Sequence, residues 1–315
     1  MSLSQPLLLS PQALLVRTRL MAGPSAASTP FKIVPDPYAI RLKEWSDSGR
    51  VPSQAARTTE TRGGLVLVAE WGWAEDPENG GEQYLSLKKD VEDAMGECMY
   101  VYPPHATHVT VATLSNFKKS DAPRGFKNAS NDAVDARILQ AWGDALESAF
   151  RNQRQIGDRS PQHQPSSEVA RIGPFTLEAH HIELSPGAAF LHFLDPSGTI
   201  DRLRDLVKHA RDEDPQLAAV VAELDKSSVS QPDGDEGRGD STLRDSVHIP
   251  DIVHSSFGRF IQDTADEAQV VARFSSIAAH FKSFPLRITK LILANECSPY
   301  MHQGREEGTI RIFEL

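Results

Sequence analysis

The chain has 315 residues, 39% hydrophobic and 24% charged, with a formal net charge of -10. That is ample to bury a core, and no apolar run approaches the roughly 20 residues that cross a bilayer. An acidic balance disfavours a protein that grips long nucleic acid, because phosphate contacts reward a basic surface; it leaves room for a small nucleotide or an RNA end held in a local basic pocket. Two cysteines, Cys98 and Cys297, cannot form a disulfide framework and fit a reducing compartment.

The first 35 residues contain no Asp or Glu and carry Arg17, Arg19 and Lys32 among Leu, Ser and Ala. This composition resembles an organellar transit peptide, although a plain disordered leader, with Met21 as an alternative start, is the favoured reading. Residues 1–60 are therefore taken as a disordered or irregular leader, and residues 61–315 as the folded domain. The expected location is cytoplasm or nucleus, with organellar targeting as the alternative.

The first clear strand is 64–71, a continuous apolar run. Residues 84–99 show helical spacing, with Leu87, Val91 and Met95 on one face. Residues 100–114 alternate like a strand, interrupted by Pro103-Pro104. A long amphipathic helix spans 131–156, with Ile138, Trp142, Leu146 and Phe150 inward. Strands follow at 175–184 and 189–194 around the Pro186-Gly187 turn, then a helix at 199–210. Residues 211–246, rich in Asp, Gly and Ser from Asp225 onward, read as an exposed and largely disordered acidic insertion. A strand at 252–260, a helix at 265–281 and strands at 286–295 and 309–315 complete the chain. Short alternating strands joined by loops, in two strand–helix–strand groups, predict an α+β fold with antiparallel sheets.

Two of these strands carry chemistry. Side chains alternate faces along a strand. In 108–111 (HVTV), His108 and Thr110 share one face while Val109 and Val111 share the other. In 252–260 (IVHSSFGRF), His254 and Ser256 share a face opposite Val253, Ser255 and Phe257. Arg259 lies five residues beyond His254, where either local twist or a bulge at Gly258 would re-aim it toward the same cleft. An imidazole titrates near neutrality, so one of a pair serves as base and its partner as acid in cutting a phosphodiester. Hydroxyls of Thr110 and Ser256 donate to the phosphoryl oxygens as charge builds there. No step of this scheme calls for a metal.

With these residues, the chain resembles the two-histidine (2H) phosphoesterases, whose signature is two His-x-Thr/Ser-hydrophobic tetrapeptides on strands. His254-Ser255-Ser256-Phe257-Gly258-Arg259 is similar to the family's His-x-Thr-Leu-Gly-Arg form. His108-Val109-Thr110-Val111 matches the tetrapeptide, with Thr113 where an Arg is often found. The two copies lie 146 positions apart, wider than in compact members. The resemblance runs from Leu65 to Leu315. It implies a bilobal fold, two pseudo-symmetric antiparallel β-sheet lobes with outer helices and a central cleft. It implies His108 and His254 as the catalytic pair, with Thr110 and Ser256 on the phosphate. The activity expected is a metal-independent, 2′,3′-cyclic phosphodiesterase-like hydrolase of an RNA end or small cyclic nucleotide, without cofactor and acting as a monomer.

Alternatives stand beside this reading. The same cleft could hold a nucleotide or RNA without cutting it, or the acidic insertion could recruit a partner protein. His105 competes with His108 as the first-motif histidine, but Pro104 before it argues against a regular strand. His105-x-x-His108 and His180-His181 invite a metal reading that the absence of nearby cysteines disfavours; no metal is expected. Arg259 is either a phosphate clamp or an ordinary strand arginine. Tyr102 and Tyr300 are candidates for stacking on a base, whereas Phe257 belongs to the core. Trp71 and Trp73 line a cleft rim or pack inside. There is no Gly-rich phosphate loop, no nucleophile elbow and no dinucleotide fingerprint.

Overall fold

The structure, a computed structural model, describes residues 31–36, 39–40, 43–44, 47, 64–71, 80–115, 136–157, 172–228, 247–264, 266–296 and 308–315. Eight strands occur among them: β1 (Gly64–Trp71), β2 (Met99–Val101), β3 (His108–Ser115), β4 (Phe175–Leu184), β5 (Ala188–Leu194), β6 (His254–Phe260), β7 (Phe284–Glu296) and β8 (Thr309–Glu314). They form one antiparallel sheet in the order β2-β6-β5-β4-β7-β1-β3, with β8 on β7. The five long helices are α1 (Gly81–Met95), α2 (Ala136–Gly157), α3 (Thr199–Glu213), α4 (Pro215–Ser228) and α5 (Glu267–His280). The fold is α+β, and the sheet is not a closed barrel.

The two antiparallel lobes expected from sequence share one continuous sheet. Residues 175–179 of β4 pair with 284–288 of β7, fusing two half-sheets into one. Around that junction the order β6-β5-β4 mirrors β3-β1-β7, so β3 and β6, which carry the two histidine motifs, occupy equivalent places. The sheet then brings them together. β3 packs against β6, and Thr113 and His248 exchange two backbone hydrogen bonds of 2.8 Å.

The apolar pattern explains the layers. Every residue of β1 is buried, as suits a central strand covered on both faces. Elsewhere burial alternates, as in β4. Helices α1 and α5 pack on each other, α1 on β2 and α5 on β4; α2 packs on α3, α4 and β8, and α3 on β3. Ile138, Trp142, Leu146 and Phe150 of α2 are buried, as their spacing predicts. No helix among the described residues is long and apolar enough to cross a membrane.

Several boundaries differ from the sequence reading. The compact body begins at Ile33, well inside the supposed leader. Ile33 is 2% exposed and donates its N–H to Glu267 Oε1 at 2.7 Å, and the Asp36 N–H donates to the Phe260 carbonyl at 2.7 Å. A short polar segment without periodicity gives no sign of such long-range bonds. Residues 211–213 and 215–228 of the supposed insertion are helical, and Leu217 is fully buried; polar composition masked these helices. Residues 229–246, like the first five residues of the expected 131–156 helix, lie outside the described residues.

Candidate active site

Local structure aims His108. After β2, Pro104–Ala106 make a single 3-10 turn. It is closed by the Thr107 N–H and Oγ1, both donating to the Pro104 carbonyl at 3.1 and 2.7 Å. His105 falls in this turn, off the strand, and His108 opens β3. Tyr84 of α1 anchors the approach, donating its hydroxyl to the Tyr102 carbonyl at 2.8 Å and packing edge-on against Trp71. The His108 ring sets Nδ1 3.3 Å from the Ala106 carbonyl. Donation from Nδ1–H to that carbonyl leaves Nε2 as the basic nitrogen.

His254 differs: the Ile252 carbonyl, two residues earlier, influences its ring, but its Nδ1 is buried with no hydrogen-bond partner among the described residues. Arg204 of α3, 5% exposed, donates Nη2 to the same carbonyl at 2.9 Å. Phe190 meets the His254 ring edge-on, with centroids 5.2 Å apart.

The alternation predicted from sequence holds in both motifs. Val109, Val111, Ser255 and Phe257 are buried, while His108, Thr110, His254 and Ser256 are half-buried. The isolated antiparallel pairing of Thr113 with His248 and the packing of β3 on β6 bring the two motif strands near each other. Their proximity is electrostatic as well. Burial, opposed by the Ala106 carbonyl and helped by the nearby His254, holds His108 down at about 4. His254 is also lowered, first by burial and then by the charges of Arg204 and Arg259, against the pull of the Ile252 carbonyl and Glu183. Both rings are therefore neutral at pH 7 in the free protein.

Arg259 turns toward the motif. Its Nη2 donates to Ser256 Oγ at 3.1 Å, and its Nη1 stands 3.9 Å from Asp36 Oδ2. Gly258 permits the close passage of β2, since a Cβ there would meet Met99 Sδ at 2.9 Å. Tyr102 does not offer a face to a base: it is 1% exposed and packs edge-on with Tyr100. Trp71 is likewise packed at 4% exposure rather than at a rim. Tyr300 and Trp73 lie outside the described residues.

Cross-strand register adds residues the motifs could not indicate. His254 faces His192 of β5, which faces His181 of β4. In the mirrored half, His108 faces Glu70 of β1, which faces Lys290 of β7, with Lys290 Nζ 3.5 Å from Glu70 Oε2. Each motif histidine thus ends a row of ionisable side chains. His192, Glu70, Lys290 and Arg204 were not singled out from sequence. Only alternation in β5 could have drawn attention to His192, which interrupts an otherwise apolar strand. A cavity of about 640 Å³ lies away from the histidines, where Gly173–Thr176 meets Arg202 and Ser283–Pro285.

No protein-family model matches the chain. No curated protein matches it either. Among solved structures, it is similar to TT0787 of Thermus thermophilus, with a TM-score of 0.34 and 13% identity over 73% of this chain and 87% of that one. It is also similar to ATU0111, a conserved protein of unknown function from Agrobacterium tumefaciens, with a TM-score of 0.35 and 10% identity over 80% of this chain and 84% of that one.

Proposed function

We propose that this chain is a phosphodiesterase of the 2H type, acting on an RNA end or a small cyclic nucleotide phosphate through His108 and His254. The observation that carries the reading is the placing of His108 and His254 on mirrored strands that pack together, each with a hydroxyl two residues on and on the same face. One imidazole Nε2 takes the proton of water or a ribose hydroxyl, and the other protonates the leaving oxygen. A phosphodiester anion between the rings raises their proton affinity, which supplies the acid that burial withholds in the free protein. Thr110, Ser256 and Arg259 hold the phosphoryl oxygens. Substrate orientation decides which ring is acid and which is base.

The test is a product assay on 2′,3′-cyclic, 2′,5′-linked and small cyclic phosphates, with His108→Ala and His254→Ala beside the parent protein. Each variant is expected to lose about 10²–10⁴-fold in kcat, the worth of one positioned proton transfer, while its circular dichroism stays unchanged. Full turnover in either folded variant would sink the reading.

A further inference from the structure

We infer that His181, His192 and Glu183 form a binding site for a first-row transition-metal dication of the zinc type, on the same sheet face as His254 and one strand away from it. Among the described residues, these three place one ligand atom each within 4.8 Å of one another. His192 Nε2 lies 2.9 Å from Glu183 Oε2, and the rings of His181 and His192 stack with centroids 4.3 Å apart. His181 Nδ1 is buried with no hydrogen-bond partner.

A backbone irregularity brings this group together. In β4 the register shifts between Ala179 and His181, so that His181 rather than His180 stands opposite His192. Uninterrupted pairing from Ala179–Phe193 would put His180 there instead and send His181 to the apolar face with Leu191. The shift turns His181, and Glu183 two residues on, toward His192. Bulges that re-aim a side chain recur beside functional sites. His180, left outside the pairing, is exposed.

The donor set selects the metal. Two imidazoles and one carboxylate suit zinc, cobalt, nickel or copper, whereas calcium and magnesium favour oxygen ligands. Three protein ligands leave a coordination position for water. Ligand atoms around tetrahedral zinc stand roughly 3.4 Å apart; His192 Nε2 and Glu183 Oε2 are already 2.9 Å apart, so the adjustment falls mainly on His181, within the 4.8 Å span of the group. The two rings are parallel, within 4°, and binding turns them about χ2 until their lone pairs converge. Glu183, with its side chain 58% exposed, leaves the entrance open, while His192 at 13% forms the floor. A cation held there adds positive charge beside His254, whose ring centroid is 6.1 Å from that of His192. That consequence rests on the function proposed above; the binding itself does not.

The experiment reads binding alone. Metal-stripped full-length protein is titrated with Co²⁺, following its visible absorption, and with Zn²⁺ by calorimetry. The variants are His181→Ala, Glu183→Gln and His192→Ala, with His280→Ala and His209→Ala as controls. One equivalent per chain is expected, weakened about tenfold or more in each site variant, at least the loss seen when a ligand's supporting partner is removed. His280→Ala, on the exposed end of α5, should bind as the parent does, and so should His209→Ala. His192 is largely buried, so Glu183→Gln, at an exposed carboxylate, keeps the test alive if His192→Ala misfolds. Binding unchanged in both His181→Ala and Glu183→Gln overturns the inference. So does the absence of a stoichiometric site in the parent protein, or loss of binding on removing His209, which pairs with Glu213 on α3.

Discussion

Replacing His108 with Gln tests the electrostatics of the site through stability alone. A histidine of ordinary pKa 6.5 in the unfolded chain falls to about 4 in the folded one because its neutral ring is desolvated. Between those values the unfolded state binds the extra proton, so folding stability rises with pH and is lost as pH falls from 6.5 toward 4. The loss attributable to His108 is about 2 kcal/mol at pH 5 and about 3 kcal/mol at pH 4, taken relative to pH 7. Gln keeps a polar side chain beside the Ala106 carbonyl but does not titrate. Urea unfolding of parent and variant at pH 7, 6, 5 and 4 isolates the contribution of His108, because the carboxylates they share cancel in the difference. The variant should gain on the parent by those amounts as the solution is acidified. A difference that stays constant with pH would refute the claim that the ring is held neutral by burial.

Three other outcomes follow from the same geometry. In the pH dependence of kcat/KM, which reports the free enzyme, the limb that falls with rising pH should lie below pH 6.5, since both rings are depressed; in kcat it should move upward once the bound phosphate is present, and identical limbs in both would contradict that account. Thr110→Ala and Ser256→Ala should each cost up to about 10²–10³-fold in kcat, as for loss of one donor to a developing oxyanion, with steady-state kinetics separating that from a change in KM alone. Gly80→Ala should destabilise the fold by about 3 kcal/mol, because Gly80 has φ +75° and a Cβ there would meet the Pro285 carbonyl at 2.5 Å; an unshifted thermal midpoint would contradict this.

Periodicity made most of the chain legible. The continuous apolar run of β1, the alternation of β4 and the inward stripe of α2 each declare a local environment, and local environment is what hydrophobic spacing encodes. The same alternation put His108 with Thr110 and His254 with Ser256, because a strand's two faces are a property of its own backbone. Pro104 identified His108 rather than His105 as the strand histidine, since a proline suits the 3-10 turn that precedes β3.

What tertiary structure alone decided are relations between segments distant in the chain. Ile33 and Asp36 joined the body through bonds to Glu267 and Phe260, more than 200 residues away. Two half-sheets fused through β4 and β7, where nothing in either strand names its partner. Tyr102, open to a base by composition, was buried beneath Tyr84 and Tyr100. The row His181, His192 and His254 depends on pairing register, and for His181 on a one-residue irregularity that moves it to the other face. The sequence by itself determined that two histidines each stand beside a hydroxyl on a half-buried strand face. Only the assembled sheet brought β3 and β6 together, because which strands pair, and where, is not written in the alternation of one strand.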